Sequence, residues 1–372
     1  MAGSVVAFFA EVPDPRSPLG RRHRLSDVLT IAICGVICGA ESWAEVEQFG
    51  RDKGDWFHTF LDLPHGIPSH DTFGRIFSLL DPEAFERCFV AWMAALADRP
   101  DQRIVAVDGK TLRRSFDRAS KQSAVHMVSA FSSANRLVLG QIATQAKSNE
   151  ITAIPKLLEL LDLHGAIVTI DAMGCQKEIA RTIVQQGGDY VLAVKDNQPA
   201  LHKQVAGLMD EGIRESFAWM RHDGCMETEG DHGRIETRRV WTTPDVQWLK
   251  GTSQWPGLRS LAVVESTREV QGPASQERRY YISSLDGTDA QATAAAIRGH
   301  WGIENQLHWS LDVSFREDDC RIRKGHGAEN FSRLRRIALN LLKQEKSVKI
   351  GVKGKRLKAG WNHDYLLRVL RI

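Results

Sequence analysis

IRGHWGIENQLHWSLDVSFREDDCRIRKGHGAENFSRLRRIALNLL, Ile297 to Leu342, is the stretch on which the reading of this chain turns. Residues three, four and seven apart share one face of an α-helix, so a helix here sets Glu304 beside Ile297, His300, Trp301, Leu307, His308 and Leu311. That predicts a carboxylate in a mostly apolar stripe. An isolated buried carboxylate is costly unless it is paired, protonated or bound to a metal, so Glu304 requires partners from elsewhere in the chain.

Two candidates end short apolar runs. Asp108 follows IVAV and precedes Gly109, and Asp171 follows IVTI and precedes Ala172. An acid at the carboxyl end of a buried strand faces the crevice where α/β sheets place their ligands. Asp before Gly is also a common turn dipeptide, so each residue alone reads more readily as a turn. If the two strands are parallel neighbours, however, Asp108 and Asp171 lie side by side, and a docked helix brings Glu304 to them. Three converging carboxylates repel one another unless protons or cations intervene. Oxygen ligands favour Mg²⁺ or Mn²⁺, and a pair of such ions suits phosphodiester chemistry. His300, Glu304 and His308 also have zinc-compatible spacing, but the HExxH arrangement of a zinc hydrolase is absent.

The surroundings point to a polyanion. Lys110, Arg113 and Arg114 follow Asp108, and Arg321, Arg323 and Lys324 follow the acidic group Glu317, Asp318 and Asp319. These cations suit a phosphate backbone, with local salt bridges as the alternative, and the acids are candidate substitute metal ligands. Net charge is +3, but residues 321–372 hold fifteen Lys or Arg against three acids. The segment before them is therefore net acidic, and a basic C-terminal segment on such a chain fits a polyanionic partner. Trp301 and Trp309 read as core.

The 42% hydrophobic and 26% charged composition is that of an ordinary globular protein. Six scattered cysteines lack paired CxxC elements, which argues against a zinc ribbon and predicts reduced thiols in an intracellular, cytoplasmic protein. The N-terminus lacks the basic region of a signal peptide. Val28 to Ala40 is shorter than the roughly 20 apolar residues a membrane span needs, so a buried helix, and no membrane partner, is expected.

Helical periodicity runs from Leu25 to about Leu96, with Ser69 and Asp81-Pro82 as start signals. After polar residues 98–102, strands are predicted at 103–109, 126–132, 136–144, 166–173 and 190–195, with helices at 150–161 and 176–186. This predicts a mixed sheet with helices on its faces. Strands at 234–243, 260–267 and 278–285 read as a β-rich insertion over about residues 199–285. An amphipathic helix is predicted from about Asn330 to Gln344, followed by a loose basic tail over residues 346–372.

Taken together, FFAEVPDPRSPLGRRHRLSDVL, GAESWAEVEQFG, GIPSHDTFGRIFSLLDPEAF, VAVDGKTLRRS, TIDAMGCQKEIA, GGDYVLAVKDNQPAL, HGRIETRRV, HWGIENQLHWSLDVSFREDDCRIR and AENFSRLRRIALNLL, in this order, resemble the H-repeat-associated insertion-sequence transposases, a branch of the DDE transposases. The resemblance spans nearly the whole chain. It implies a ribonuclease-H-like catalytic domain over residues 99–345, preceded by a helical DNA-binding domain over residues 1–98. It implies Asp108, Asp171 and Glu304 as a catalytic triad holding two Mg²⁺ or Mn²⁺ ions. The implied partners are double-stranded DNA, as element terminal inverted repeats and target, and a second copy of the chain on that DNA. A nucleoid-associated location follows. Hairpin-forming relatives carry tyrosine, arginine and lysine where this chain has Ile297, His300 and Leu311, so no hairpin step is implied; His300 alone suits a phosphate or metal contact. The alternatives are a catalytically silent DNA-binding regulator and a nuclease without strand transfer.

Overall fold

The computed structural model describes residues 5–96, 103–116, 123–144, 149–231, 234–269 and 275–371. Its centre is a mixed sheet. Strands β1 (Ile104–Thr111), β2 (His126–Ser132), β3 (Leu137–Thr144), β4 (Ile167–Ile170) and β5 (Asp189–Val194) stand in the order β3-β2-β1-β4-β5. β1 pairs antiparallel with β2 but parallel with β4, and β4 is parallel to β5. These short Val- and Ile-rich runs suit positions covered on both faces, and every residue of β2 and β4 is buried.

The β-rich insertion continues this sheet. Strands β6 (Asp223–Asp231), β7 (Arg234–Thr243), β8 (Ser260–Glu269) and β9 (Ser275–Ser283) form an antiparallel meander, which joins through β9 to β5 and completes a nine-stranded sheet. β6, DGCMETEGD, is a strand that periodicity did not reveal. It is a polar edge, and its conformation follows from residue-for-residue pairing with β7.

Helices α1 (Val5–Phe9), α2 (Leu25–Cys38), α3 (Trp43–Asp52), α4 (Gly54–Phe57), α5 (His70–Leu79) and α6 (Pro82–Leu96) form the N-terminal region. Helix α2 is buried along nearly its whole length, and no single helix among the described residues is long and apolar enough to cross a membrane. All six cysteines are free. Helices α7 (Glu150–Glu159), α8 (Lys177–Gln185), α9 (Pro199–Arg214), α10 (Ala290–Gly302), α11 (Trp309–Phe315) and α12 (Gly327–Gln344) follow, and the chain ends in α13 (Val352–Trp361) and α14 (His363–Leu370). The basic tail is therefore ordered, contrary to expectation. Tyr365, Leu366, Val369 and Leu370 are buried in the apolar cluster that also holds α2, α5, α6 and α12, so the two ends of the chain share one core.

Helix α12 departs from its predicted amphipathic form because it is buried all round. Its polar residues are matched internally. Asn330 donates to the carbonyls of Phe77 and Leu80 (both 2.9 Å), and Asn340 exchanges bonds with the Val138 backbone at 2.9 and 3.0 Å. Arg333 pairs with Glu86 at 2.9 Å, Arg336 pairs with Glu317 at 2.9 Å, and Arg335 lies 4.5 Å over the Phe331 ring. Lys355 and Arg356 are buried too, with Lys355 Nζ donating to the Leu342 carbonyl at 2.9 Å and Arg356 to the Val36 carbonyl at 3.0 Å. Five of the fifteen C-terminal cations are thus internal struts, which reduces the charge left for a polyanion.

Candidate active site

The β1–β4 register brings the two aspartates together. Val107 lies opposite Ile170, so Asp108 and Asp171 occupy the next position on adjacent parallel strands. Asp171 turns outward immediately after β4 and caps a short 3₁₀ turn, accepting from the Met173 and Gly174 amides at 3.1 and 3.4 Å. Asp108 is half-buried. Helix α10 crosses β1 and β4 closely because Gly299 has no side chain: a Cβ there would come within 2.9 Å of Ile104, and Ser133 donates to the Gly299 carbonyl at 2.7 Å. This crossing sets His300 over Thr169, with Nδ1 and Oγ1 3.1 Å apart.

Glu304 is not in an apolar stripe. Helix α10 gives way at Gly302 to a π-turn, Ile303–His308, in which the Trp309 amide donates to the Glu304 carbonyl across five residues. The wider turn sends Ile303 and Leu307 into the core and leaves Glu304 exposed. Glu304 and Asp171 line a cleft of about 730 Å³, together with His300, Trp301 and residues of the insertion strands. Trp301 is a wall of this cleft rather than core, beneath the Arg238 guanidinium at 4.7 Å, and Trp309 is 59% exposed.

Electrostatics tie the three acids together. Burial is the largest influence on Asp108, followed among unfavourable ones by the Asp171, Glu304 and Glu150 carboxylates, and together they push its carboxyl up to about 7. His308 Nδ1 stands 3.5 Å from Asp108 Oδ2. Burial drives the His308 imidazole down to about 3, helped by Arg336 and Lys110, so it stays neutral. Burial also lowers His300, against the pull of Asp171 and Glu304. Beneath Asp108, the buried pair His126 and Glu150 fills the space that a side chain at position 109 would need. His308, read from the sequence as flanking the site, does so, whereas sequence reasoning missed His126 and Glu150 beside Gly109. Gly109 was the available signal, since its backbone is approached by both His126 and Glu150. Among the described residues, no group of three or more His, Cys, Asp or Glu is drawn together closely enough to hold an ion as it stands.

The cations expected to meet phosphate divide. Lys110 is buried, with Nζ 2.7 Å from both Asp312 and Asp318 and 3.8 Å from Glu317, so it is committed to carboxylates and not free for DNA. Arg113 and Arg114 are exposed and pair with Asp318 (3.1 Å) and Asp319 (3.5 Å). Arg323 is half-buried against Phe116 and donates to the Arg114 carbonyl at 3.0 Å, while Arg321 and Lys324 are exposed. The same pairs account for the acidic group. Glu317 is fully buried; burial would raise its carboxyl, but Arg336, Lys110, Arg335 and a Ser332 hydrogen bond hold it down at about 2. It is a structural anion rather than a spare metal ligand.

Two family models match the chain. The family described as "Transposase DDE domain" matches residues 99–341, and the one described as "DDE_Tnp_1-associated" matches residues 6–93. The chain is similar to "H repeat-associated putative transposase YhhI" of Escherichia coli (strain K12), 44% identical over 370 residues that cover 96% of this chain and 95% of the relative. It is also 44% identical over 371 residues to "Putative transposase YncI" of Escherichia coli O157:H7, covering 99% and 94%. A solved structure, a piggyBac transposase synaptic complex with hairpin DNA, aligns over 100% of this chain and 81% of its own at a TM-score of 0.46 and 11% identity.

Proposed function

This chain belongs to the DDE transposase family, in its H-repeat-associated branch, and from that premise we propose that it cleaves DNA strands at the ends of an insertion sequence and joins them to target DNA. The observation that carries the reading is the β1–β4 register, which sets Asp108 beside Asp171; burial and then Asp171, Glu304 and Glu150 push the Asp108 carboxyl up, against a Gly109 backbone hydrogen bond that lowers it, and no cation is among these influences. The donors are oxygens, as Mg²⁺ or Mn²⁺ prefers. Asp108, Asp171 and Glu304 would hold two such ions. When bound, they supply activation of the attacking water or hydroxyl and stabilisation of the leaving oxygen.

The chain's own residues prepare the site. His308 is neutral and limits the rotation of the Asp108 carboxylate. The cap on the Met173 and Gly174 amides fixes Asp171. The π-turn gives Glu304 access to the cleft, and His300 contacts the strand there. Arg113, Arg114, Arg321, Arg323 and Lys324 form the rim along which the duplex backbone lies, on element terminal repeats and then on target, in a dimer that pairs two ends. The β1–β5 unit is read as ribonuclease-H-like, with β6–β9 as an insertion before the catalytic helix.

The test is nicking of an element-end duplex in Mg²⁺ or Mn²⁺. Asp108→Ala, Asp171→Ala and Glu304→Ala are each expected to abolish it while leaving duplex binding intact. Nicking retained in all three variants rejects the assignment, and an unsubstituted protein that binds but never nicks points instead to a silent regulator.

A further inference from the structure

Sharing no lining residue with the cleft, the loop of residues 15–23 and helix α5 enclose a cavity of about 660 Å³, lined by Arg16, Arg22, His23, Ser69, Thr72 and Arg75 among others. No carboxylate lines it. This sets it apart from the acid-bearing cleft, where Arg238 and Arg268 are matched by Glu229 and Glu236.

The three arginines play different parts. Arg16 is held in place: Nε and Nη2 grip the Asp14 carboxylate at 2.9 and 2.7 Å, and Nη2 also donates to the His23 carbonyl at 2.7 Å. Arg22 and Arg75 are exposed, and neither guanidinium makes an ion pair or hydrogen bond among the described residues. The Ser69 and Thr72 hydroxyls on the same wall share a 3.1 Å hydrogen bond, and Ser69 Oγ also accepts from the Thr72 amide at 3.4 Å, which leaves one O–H of the pair free to donate. The local field is positive: burial lowers the His23 imidazole first, and His65, Arg16 and Arg22 lower it further.

We propose that this cavity is a phosphodiester clamp, in which Arg22 and Arg75 with the free O–H of the Ser69 and Thr72 pair grip the DNA backbone without reading its sequence. Guanidinium groups match phosphate oxygens bidentately, and that hydroxyl completes the set of donors. A free nucleotide is the poorer match. Apart from the His23 imidazole the lining offers no aromatic surface for a base, and it has no carboxylate for a ribose. The inference rests on the reading that this protein handles DNA, and it adds a second contact region outside the catalytic cleft.

The experiment is fluorescence anisotropy of a labelled duplex with the full chain in the absence of divalent ions, titrated across salt. Because no cleavage is scored, failure of the catalytic assignment leaves this measurement readable, and failure here leaves the nicking result untouched. Arg22→Ala/Arg75→Ala is expected to weaken binding about tenfold and to flatten the slope of log affinity against log salt by about two, roughly one for each phosphate that is no longer neutralised. Arg22→Lys/Arg75→Lys should restore most of the slope. Should the alanine pair lose its thermal transition, Arg22→Gln/Arg75→Gln carries the same expectation. Unchanged affinity and slope overturn the proposal. It is overturned equally if inorganic phosphate or a deoxynucleoside monophosphate raises the thermal midpoint through Arg22 and Arg75 while duplex binding is indifferent to both.

Discussion

The cleft around Glu304 and the core around helix α12 are both rich in charge, yet they use it in opposite ways. In α12 each of two buried arginines has a counter-ion at contact distance: Arg336 meets Glu317 at 2.9 Å and Arg333 meets Glu86 at 2.9 Å. At the edge of the cleft Asp171 and Glu304 add to the effect of burial on Asp108, whose nearest ring partner is the neutral His308 imidazole, and Asp108 responds by moving towards protonation. A paired charge fixes architecture, whereas an unpaired one stores an unmet demand for a cation. The two sets lie close together, since Lys110, two residues after Asp108, belongs to the paired set.

The strongest way to break the contrast is to remove one member of a buried pair. Arg336→Ala strands Glu317 and is expected to destabilise the protein by about 3–5 kcal/mol in a denaturant titration. Glu304→Ala, at an exposed position, should leave the same titration within about 0.5 kcal/mol of the unsubstituted protein.

The two regions should also titrate with opposite sign. Glu317 is depressed in the folded state to about 2 from an ordinary 4.5. Its contribution is therefore present above about pH 4.5 and lost as pH falls towards 2, and Glu317→Gln should lack that acid-side slope. Asp108 is raised to about 7 from 3.8. Its folded form holds the proton more tightly than the unfolded chain, so stability falls as pH rises from about 4 through 7. Asp108→Asn should be more stable than the unsubstituted protein at about pH 8, by roughly 2–4 kcal/mol after allowing for solvent. Mg²⁺ should raise the thermal midpoint at that pH in the unsubstituted protein and not in Asp108→Asn; equal shifts in both would mean that the ion binds elsewhere.

A smaller effect is expected where the regions meet. Gly109→Ala drives a Cβ into Glu150 Oε1 and His126 Nε2. Displacing that pair should destabilise by about 1–3 kcal/mol and also reduce nicking, because Glu150 is one of the carboxylates that act on Asp108. Least affected should be Arg113→Ala. Its pair with Asp318 is solvent-exposed and worth at most about 1 kcal/mol, so its removal should register in the salt dependence of DNA binding and barely in a melt.

Much of this was legible in the chain itself. The runs ending in Asp108 and Asp171 announced buried strands, and the strand prediction at 126–132 coincides with β2. The position of Glu304 was not. The helical wheel assumes about 3.6 residues per turn, and the π-turn at Ile303–His308 breaks that assumption at the residue of interest. Nor could the cations be sorted by counting, because a basic residue reads the same whether it will face solvent or a carboxylate far away in sequence.

The sequence by itself determined the strand core, the carboxylate that follows β4 and the family, whereas Asp108, read as a strand end, lies inside β1, which runs on to Thr111. Hydrophobic period and strand termini are local properties, and the ordered motifs need no coordinates. Only the tertiary structure decided which charges are spent internally: Lys110, Arg333, Arg336 and Glu317 are paired in the core, while Arg22 and Arg75 remain open to solvent. The physical reason is that the energy of a charge depends on its nearest opposite charge and on its exposure, and packing sets both.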